Sequence, residues 1–122
     1  MGVFSTHIRV ANLQDISHSR EIELIVDTGA TLTKLPAELL SELRIEPQFS
    51  VPVITPENRE VLRSVGQAWI SIDGRAGIVP VAFGGRGEPV LLGATSMEIL
   101  GFVVDPIEQI EQKLIPRPLR DK

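Results

Sequence analysis

Residues 68–83 carry the pattern that most restricts how this chain can fold. Ala68 to Ile72 and Ala76 to Phe83 are two apolar runs rich in β-branched residues, separated by Asp73-Gly74-Arg75. Asp-Gly places two residues that tolerate positive φ side by side, which tight hairpin turns require and a continuous helix does not use. The same arrangement recurs. Val3 to Val10 and Glu21 to Val26 read as strands joined by a polar connection, Asn12 to Arg20. Val51 to Ile54 and Val61 to Val65 flank Thr55-Pro56-Glu57-Asn58-Arg59-Glu60, a polar turn. A last pair is expected around Val103-Val104 and Lys113 to Ile115, with Pro116 and Pro118 ending the sheet.

Helical signals are few. Pro36 to Leu43 begins with proline, which suits a first helical turn, and spaces Leu35, Leu39 and Leu43 along one face. After Gly84-Gly85-Arg86-Gly87 and the apolar Val90-Leu91-Leu92, Ser96 to Leu100 is a second short candidate. The expectation is an all-β chain with one or two short helices, its sheet closed into a small barrel or packed as a sandwich to remove exposed edges. At 122 residues it fits a single domain, 1–122, able to bury about two-thirds of its unfolded surface without staples.

Composition excludes several functions. Twelve basic against sixteen acidic side chains give a net charge of −4 with no basic cluster, so a nucleic-acid partner is not expected. Cysteine is absent, which removes disulfides, thiol nucleophiles and thiolate metal sites and is compatible with a reducing compartment. No basic region followed by a long apolar stretch opens the chain, and no run of about 18 apolar residues occurs, so no leader or membrane contact is expected and the location is read as cytoplasmic. Met1-Gly2 with Thr6 matches a loose myristoylation pattern, without the polybasic segment or second lipid site that stable anchoring needs.

Two segments share an organisation. Gly29-Ala30-Thr31 follows an apolar strand and leads toward a leucine-bearing helix, and Gly93-Ala94-Thr95 does the same. The first of them sits in Glu23-Leu24-Ile25-Val26-Asp27-Thr28-Gly29-Ala30-Thr31, where an acid closes an apolar run. Asp27 could simply cap the turn through local backbone hydrogen bonds. Burial there would be costly unless the carboxylate were hydrogen-bonded or neutralised, which also makes it a candidate for chemistry.

This pattern resembles the retropepsin-like, or retroviral-type, aspartic peptidases. The resemblance rests on Asp27-Thr28-Gly29-Ala30-Thr31, on the hairpin Val53 to Leu62 where such enzymes carry a flap, on Gly66 to Phe83 as the following hairpin, and on Val90-Leu91-Leu92-Gly93 before a C-terminal helix. It implies a small closed retropepsin-like acid-protease barrel hydrolysing peptide or protein substrates, without a cofactor. Peptide hydrolysis by this route needs two carboxylates about 3 Å apart sharing a proton. Asp15, Asp73, Asp105 and Asp121 all lie outside an Asp-Thr-Gly context, so a homodimer would have to bring Asp27 together with its copy. By the same resemblance Thr28 and Gly29 would support the active-site loop. Gly29, Ala30, Val53, Ile54, Thr55, Pro56, Glu57 and Asn58 would contact substrate, the last six from the flap. Two departures stand out: the Pro56-Glu57-Asn58-Arg59 tip lacks glycine, and Ala94-Thr95 follows Gly93 where retroviral enzymes carry an Arg with Asn or Asp. Glu108 to Pro116 reads either as an interface strand or as an ordinary edge strand.

Other candidates are weaker. His7 and His18 have no metal-ligand spacing, so no metal is assigned. Gly84-Gly85-Arg86-Gly87 lacks the lysine and helix of a phosphate loop. Trp69 suits a sheet, and Ser5 and Ser96 lack a nucleophile elbow. The rival readings are a catalytically silent module of the same fold that binds peptide or dimerises, and a barrel in which Asp27 only caps a turn.

Overall fold

The structure, a computed structural model, describes residues 4–105 and 113–121. Strands dominate: β1 (Ser5–Asn12), β2 (Asp15–Val26), β3 (Thr33–Pro36), β4 (Phe49–Ile54), β5 (Glu60–Ile72), β6 (Arg75–Gly84), β7 (Leu91–Leu92), β8 (Phe102–Asp105) and β9 (Lys113–Pro116), with two short helices, α1 (Ala37–Glu42) and α2 (Ala94–Leu100). Seven strands form one sheet in the order β1-β2-β7-β3-β6-β5-β4, and β1 also pairs with β5. That extra pairing closes six strands into a ring and leaves β4 outside it, held on β5 alone. β8 and β9 form a separate two-stranded sheet. The fold is all-β, as expected.

Inward and outward positions alternate as the pleat requires. Ile8 and Val10, Leu24 and Val26, and Val79 and Val81 point into the core together with Leu35 and Leu92. Burial of aliphatic side chains this complete contributes about 1.5–3 kcal/mol each in area terms. Leu40 of α1 and its C-cap residue Leu43 are buried in the core, as are Met97 and Leu100 of α2. Among the described residues no buried side-chain polar atom lacks a partner.

The Asp73-Gly74 turn has φ of 47° and 84° at its two central residues, the left-handed pair anticipated for that hairpin. Three expectations need correction. The polar connection Asn12 to Arg20 is mostly strand: only Leu13 and Gln14 turn, and Asp15 to Ser19 continue β2. These residues lack hydrophobic alternation because this arm stands in solvent, and the ladder holds the two ends of the segment through the pairs Ala11 with Ser19 and Asn12 with Asp15. The residues leading to the first helix form β3, so Leu35 belongs to a strand and Pro36 is the residue that caps α1. Leu39 packs partly buried against the core, and Leu40 is the fully buried leucine of that helix. Helix α2 starts two residues earlier than expected, at Ala94.

Arg75 anchors the C-terminal segment. Its Nη1 donates to the carbonyls of Leu100, Gly101 and Arg117, and its guanidinium lies 5.8 Å from the Phe102 ring centre. Residues 108–112 of the proposed interface strand lie outside the described residues; Lys113–Pro116 pairs within the chain, with β8.

Candidate active site

Asp27 is the residue after β2, and the pleat decides its setting. Leu24 and Val26 face the core, so Ile25 and Asp27 face the other way. The carboxylate is half-buried, not sequestered. The desolvation cost that its sequence position suggested is therefore small within one chain. Its Oδ1 accepts a hydrogen bond of 2.9 Å from the Gly29 backbone N–H, and its carbonyl accepts from Ala30 N–H at 3.2 Å. The loop thus folds back on its own carboxylate, as an Asx turn does.

A second loop braces the first. Asp27 N–H donates to the Leu92 carbonyl (3.0 Å), Ala94 N–H to the Ala30 carbonyl (2.7 Å) and Thr95 N–H to the Thr31 carbonyl (3.0 Å). The two Gly-Ala-Thr segments therefore lie against each other, joined backbone to backbone. Their approach is close: a Cβ on Gly93 would sit 2.5 Å from the carbonyl carbon and oxygen of Leu32. Behind them, the Thr33 hydroxyl accepts from Gly93 N–H (3.0 Å) and shares a 2.6 Å hydrogen bond with the Ser96 hydroxyl; both side chains are fully buried. Sequence reasoning missed Thr33 and set Ser96 aside as a nucleophile. The available signal was a hydroxyl on the inward parity of β3 and another in the helix that follows the second Gly-Ala-Thr.

Around this loop Thr28 and Gly29 are exposed and Ala30 is half-buried. The β4–β5 hairpin projects as a flap-like arm, with Val53 opposite Val61 and Ile54 opposite Glu60. Consecutive residues of a strand face opposite sides, so Val53 and Ile54 do not share a surface; Val53 is half-buried and Ile54 is 65% exposed. Thr55 is half-buried, while Pro56, Glu57 and Asn58 are exposed at the tip. The tip turns without glycine because Asn58 takes φ of 62°, a conformation asparagine tolerates better than most residues. Thr55 closes the turn: its carbonyl accepts from Asn58 N–H, its N–H donates to the Arg59 carbonyl, and its hydroxyl accepts from Arg59 N–H.

At the root of that arm Arg63 makes a two-pronged ion pair with Glu88, 2.6 Å from Nη1 and 3.0 Å from Nη2. Glu88 also accepts from Gly85 N–H. The Arg63 hydrogen bond, followed by that from Gly85, pulls the Glu88 carboxyl down to about 2. The loop between β6 and β7 is thereby tied to the flap root.

A concavity of about 560 Å³ lies elsewhere, between the β1–β2 turn and the end of α1, lined by residues including Asn12, His18 and Glu42. It is at the far end of β2 from Asp27. Among the described residues no cluster of His, Asp or Glu is arranged to hold a metal ion.

A β-ring with an Asp-Thr-Gly loop braced by its internal counterpart, and a hairpin arm extending from one strand of the ring, is the architecture of a retropepsin-like domain. The aspartyl protease family matches residues 11–101 of the 122, and the chain belongs to that family. Among solved structures, the foamy viral protease-reverse transcriptase in complex with an RNA/DNA hybrid aligns with TM-score 0.55 and 19% identity over 85% of this chain. This chain spans 14% of that viral polypeptide. A retropepsin-like aspartic protease from Rickettsia conorii aligns with TM-score 0.49 and 20% identity, covering 86% of this chain and 89% of that one. Among curated proteins none matches.

Proposed function

We propose that the protein is a homodimeric aspartic endopeptidase in which Asp27 of each chain forms a shared-proton dyad. The observation that carries this reading is the outward-facing, half-exposed Asp27 carboxylate on a loop held by hydrogen bonds from both Gly-Ala-Thr segments. It combines with family membership and with the presence of one Asp-Thr-Gly per chain. Two chains related by a two-fold axis would bring the two loops face to face. One ionised carboxylate would take a proton from water as the water oxygen attacks the peptide carbonyl carbon. The protonated carboxyl would donate to the carbonyl oxygen, and collapse of the tetrahedral intermediate would send a proton to the departing nitrogen. The exposed Thr28 hydroxyl would bridge the paired loops, and Gly29 would leave room for the substrate backbone. The β4–β5 arm would cover an extended peptide bound by strand-like hydrogen bonds.

Among the described residues no helix is long and apolar enough to cross a membrane; a cytoplasmic location belongs to the same proposal and is checked by cell fractionation. The decisive comparison is wild type against Asp27→Asn on a diverse peptide library at mildly acidic pH. The wild type is expected to cleave with a bell-shaped pH profile reporting the coupled pair, and the variant to lose about three or more orders of magnitude in rate, comparable with loss of a general base and more. Equal cleavage by both would remove Asp27 from the chemistry. Sedimentation is expected to show a dimer, at least with a peptide inhibitor present, and a monomer under all conditions would remove the shared site.

A further inference from the structure

The strand register places a cation on the same face as Asp27. In β3, Thr33 and Leu35 are fully buried, so Lys34 between them faces away from the core. Lys34 pairs with Leu91 across the β3–β7 ladder, and Leu91 pairs with Ile25 across β7–β2. Ile25, Leu91 and Lys34 thus form one lateral row, all three half-buried. Asp27 is two residues beyond Ile25 and has the same parity. Two strand spacings across and two residues along put the Cα atoms of Lys34 and Asp27 about 12 Å apart.

The lysine is steered and left without a fixed counter-ion. A Cβ on Gly84 would come within 3.1 Å of Lys34 Cγ and 3.5 Å of Cδ, so the aliphatic stem lies along that bare backbone toward the loop of residues 85–89. The carboxylate in that loop, Glu88, is already committed to both Arg63 nitrogens and to Gly85 N–H. Arg86, the other cation there, reaches across to Glu38 at 3.3 Å. Among the described residues Lys34 takes part in no ion pair. Lys34 also acts on Glu88 through space, helping to hold that carboxyl low, but Arg63 already neutralises it, so Arg63, Glu88 and Lys34 together leave one net positive charge around Lys34.

We infer that Lys34 is a specificity-determining residue that selects peptides with an aspartate or glutamate side chain within about three residues of the cleaved bond. The inference rests on the peptidase reading above. An extended peptide lying over the Ile25–Leu91–Lys34 row would bring alternate side chains down onto it, and a carboxylate there would meet an ammonium that is in no ion pair among the described residues. In a two-fold site the second copy repeats the cation, so the acidic preference would occur on both sides of the cleaved bond.

The test separates recognition from chemistry. Asp27→Asn protein, alone and combined with Lys34→Met or Lys34→Glu, is titrated with an array of extended peptides scanned with Asp, Ala and Lys. Met keeps the stem on Gly84 and removes only the charge. With Lys34 present, acidic peptides should bind about tenfold more tightly than their Ala counterparts at low salt, with the advantage shrinking as salt rises. Lys34→Met should abolish the advantage, and Lys34→Glu should transfer it to lysine peptides. Equal binding of acidic and neutral peptides, survival of the preference in Lys34→Met, or no peptide binding at all overturns the assignment. Wild-type cleavage of the same array is the second arm. If acid-selective binding is found without any cleavage, the peptidase reading fails while the role of Lys34 stands.

Discussion

The hydroxyl oxygens of Thr33 and Ser96 lie 2.6 Å apart, fully buried and 63 residues apart in sequence. Together with Gly93 N–H they make a small polar knot inside an aliphatic core, directly behind the Asp27 loop.

Because both side chains of that knot are fully buried, removing one member should cost more than a surface hydrogen bond. Thr33→Val keeps shape but leaves Gly93 N–H and the Ser96 hydroxyl without their partner, an expected loss of about 1–3 kcal/mol per unsatisfied group. Ser96→Ala should cost less, since Gly93 N–H keeps Thr33. Urea denaturation of both variants checks the order; a Thr33→Val protein as stable as wild type would show the knot to be idle.

Gly93 and Gly74 should respond to alanine for different reasons. At Gly93 a methyl group would strike backbone atoms of Leu32 and Thr33 at 2.5–2.9 Å, which cannot move without separating the two Gly-Ala-Thr segments. Gly93→Ala is expected to cost about 3 kcal/mol or more. At Gly74, with φ of 84° and no atom near, the cost is backbone strain alone, about 1–2 kcal/mol. Thermal unfolding of the pair tests the ranking, which reverses if the loops are loosely joined.

The flap tip makes a third prediction. Asn58 holds a left-handed conformation that glycine adopts freely and a β-branched residue does not. Asn58→Gly should change stability by a few tenths of a kcal/mol, and Asn58→Val should lose about 1–2 kcal/mol locally. Amide hydrogen exchange at Thr55 to Glu60 is the appropriate readout, with faster exchange expected in the valine variant only.

The Arg63–Glu88 pair implies a dependence on acid. Glu88 is held at about 2, against 4.5 unperturbed, so in the acid range the unfolded chain binds a proton that the folded chain refuses. Its stabilisation is complete above about pH 4.5 and is lost as pH falls through about 2. Screening at a partly exposed pair limits it to about 1 kcal/mol. In Glu88→Gln the fall in melting temperature between pH 5 and 2 should be shallower than in wild type; parallel curves would deny the pair this role.

Elements governed by neighbours in the chain were legible from sequence. Asp73-Gly74 needed only its own torsional preferences, and the Val51 to Val65 hairpin only two apolar runs around a polar tip. What escaped depended on distant partners. Asp15 to Ser19 look like loop because their side chains show no buried face, yet Ala11 and Asn12 hold them in a ladder. Thr33 to Pro36 read as the approach to a helix because β3 is four residues long and gains its hydrogen bonds from β6 and β7.

The candidate site divides along the same line. Sequence alone determined that an Asp-Thr-Gly closes an apolar strand, that one copy occurs per chain, and that a second Gly-Ala-Thr echoes it, since these are matters of residue order. Tertiary structure decided that Asp27 falls on the outward parity, that the two Gly-Ala-Thr segments touch, that Thr33 and Ser96 fasten them, and that Lys34 shares the Asp27 face. Each of those follows from strand register, which is set by pairings between segments far apart in the chain that no local pattern encodes.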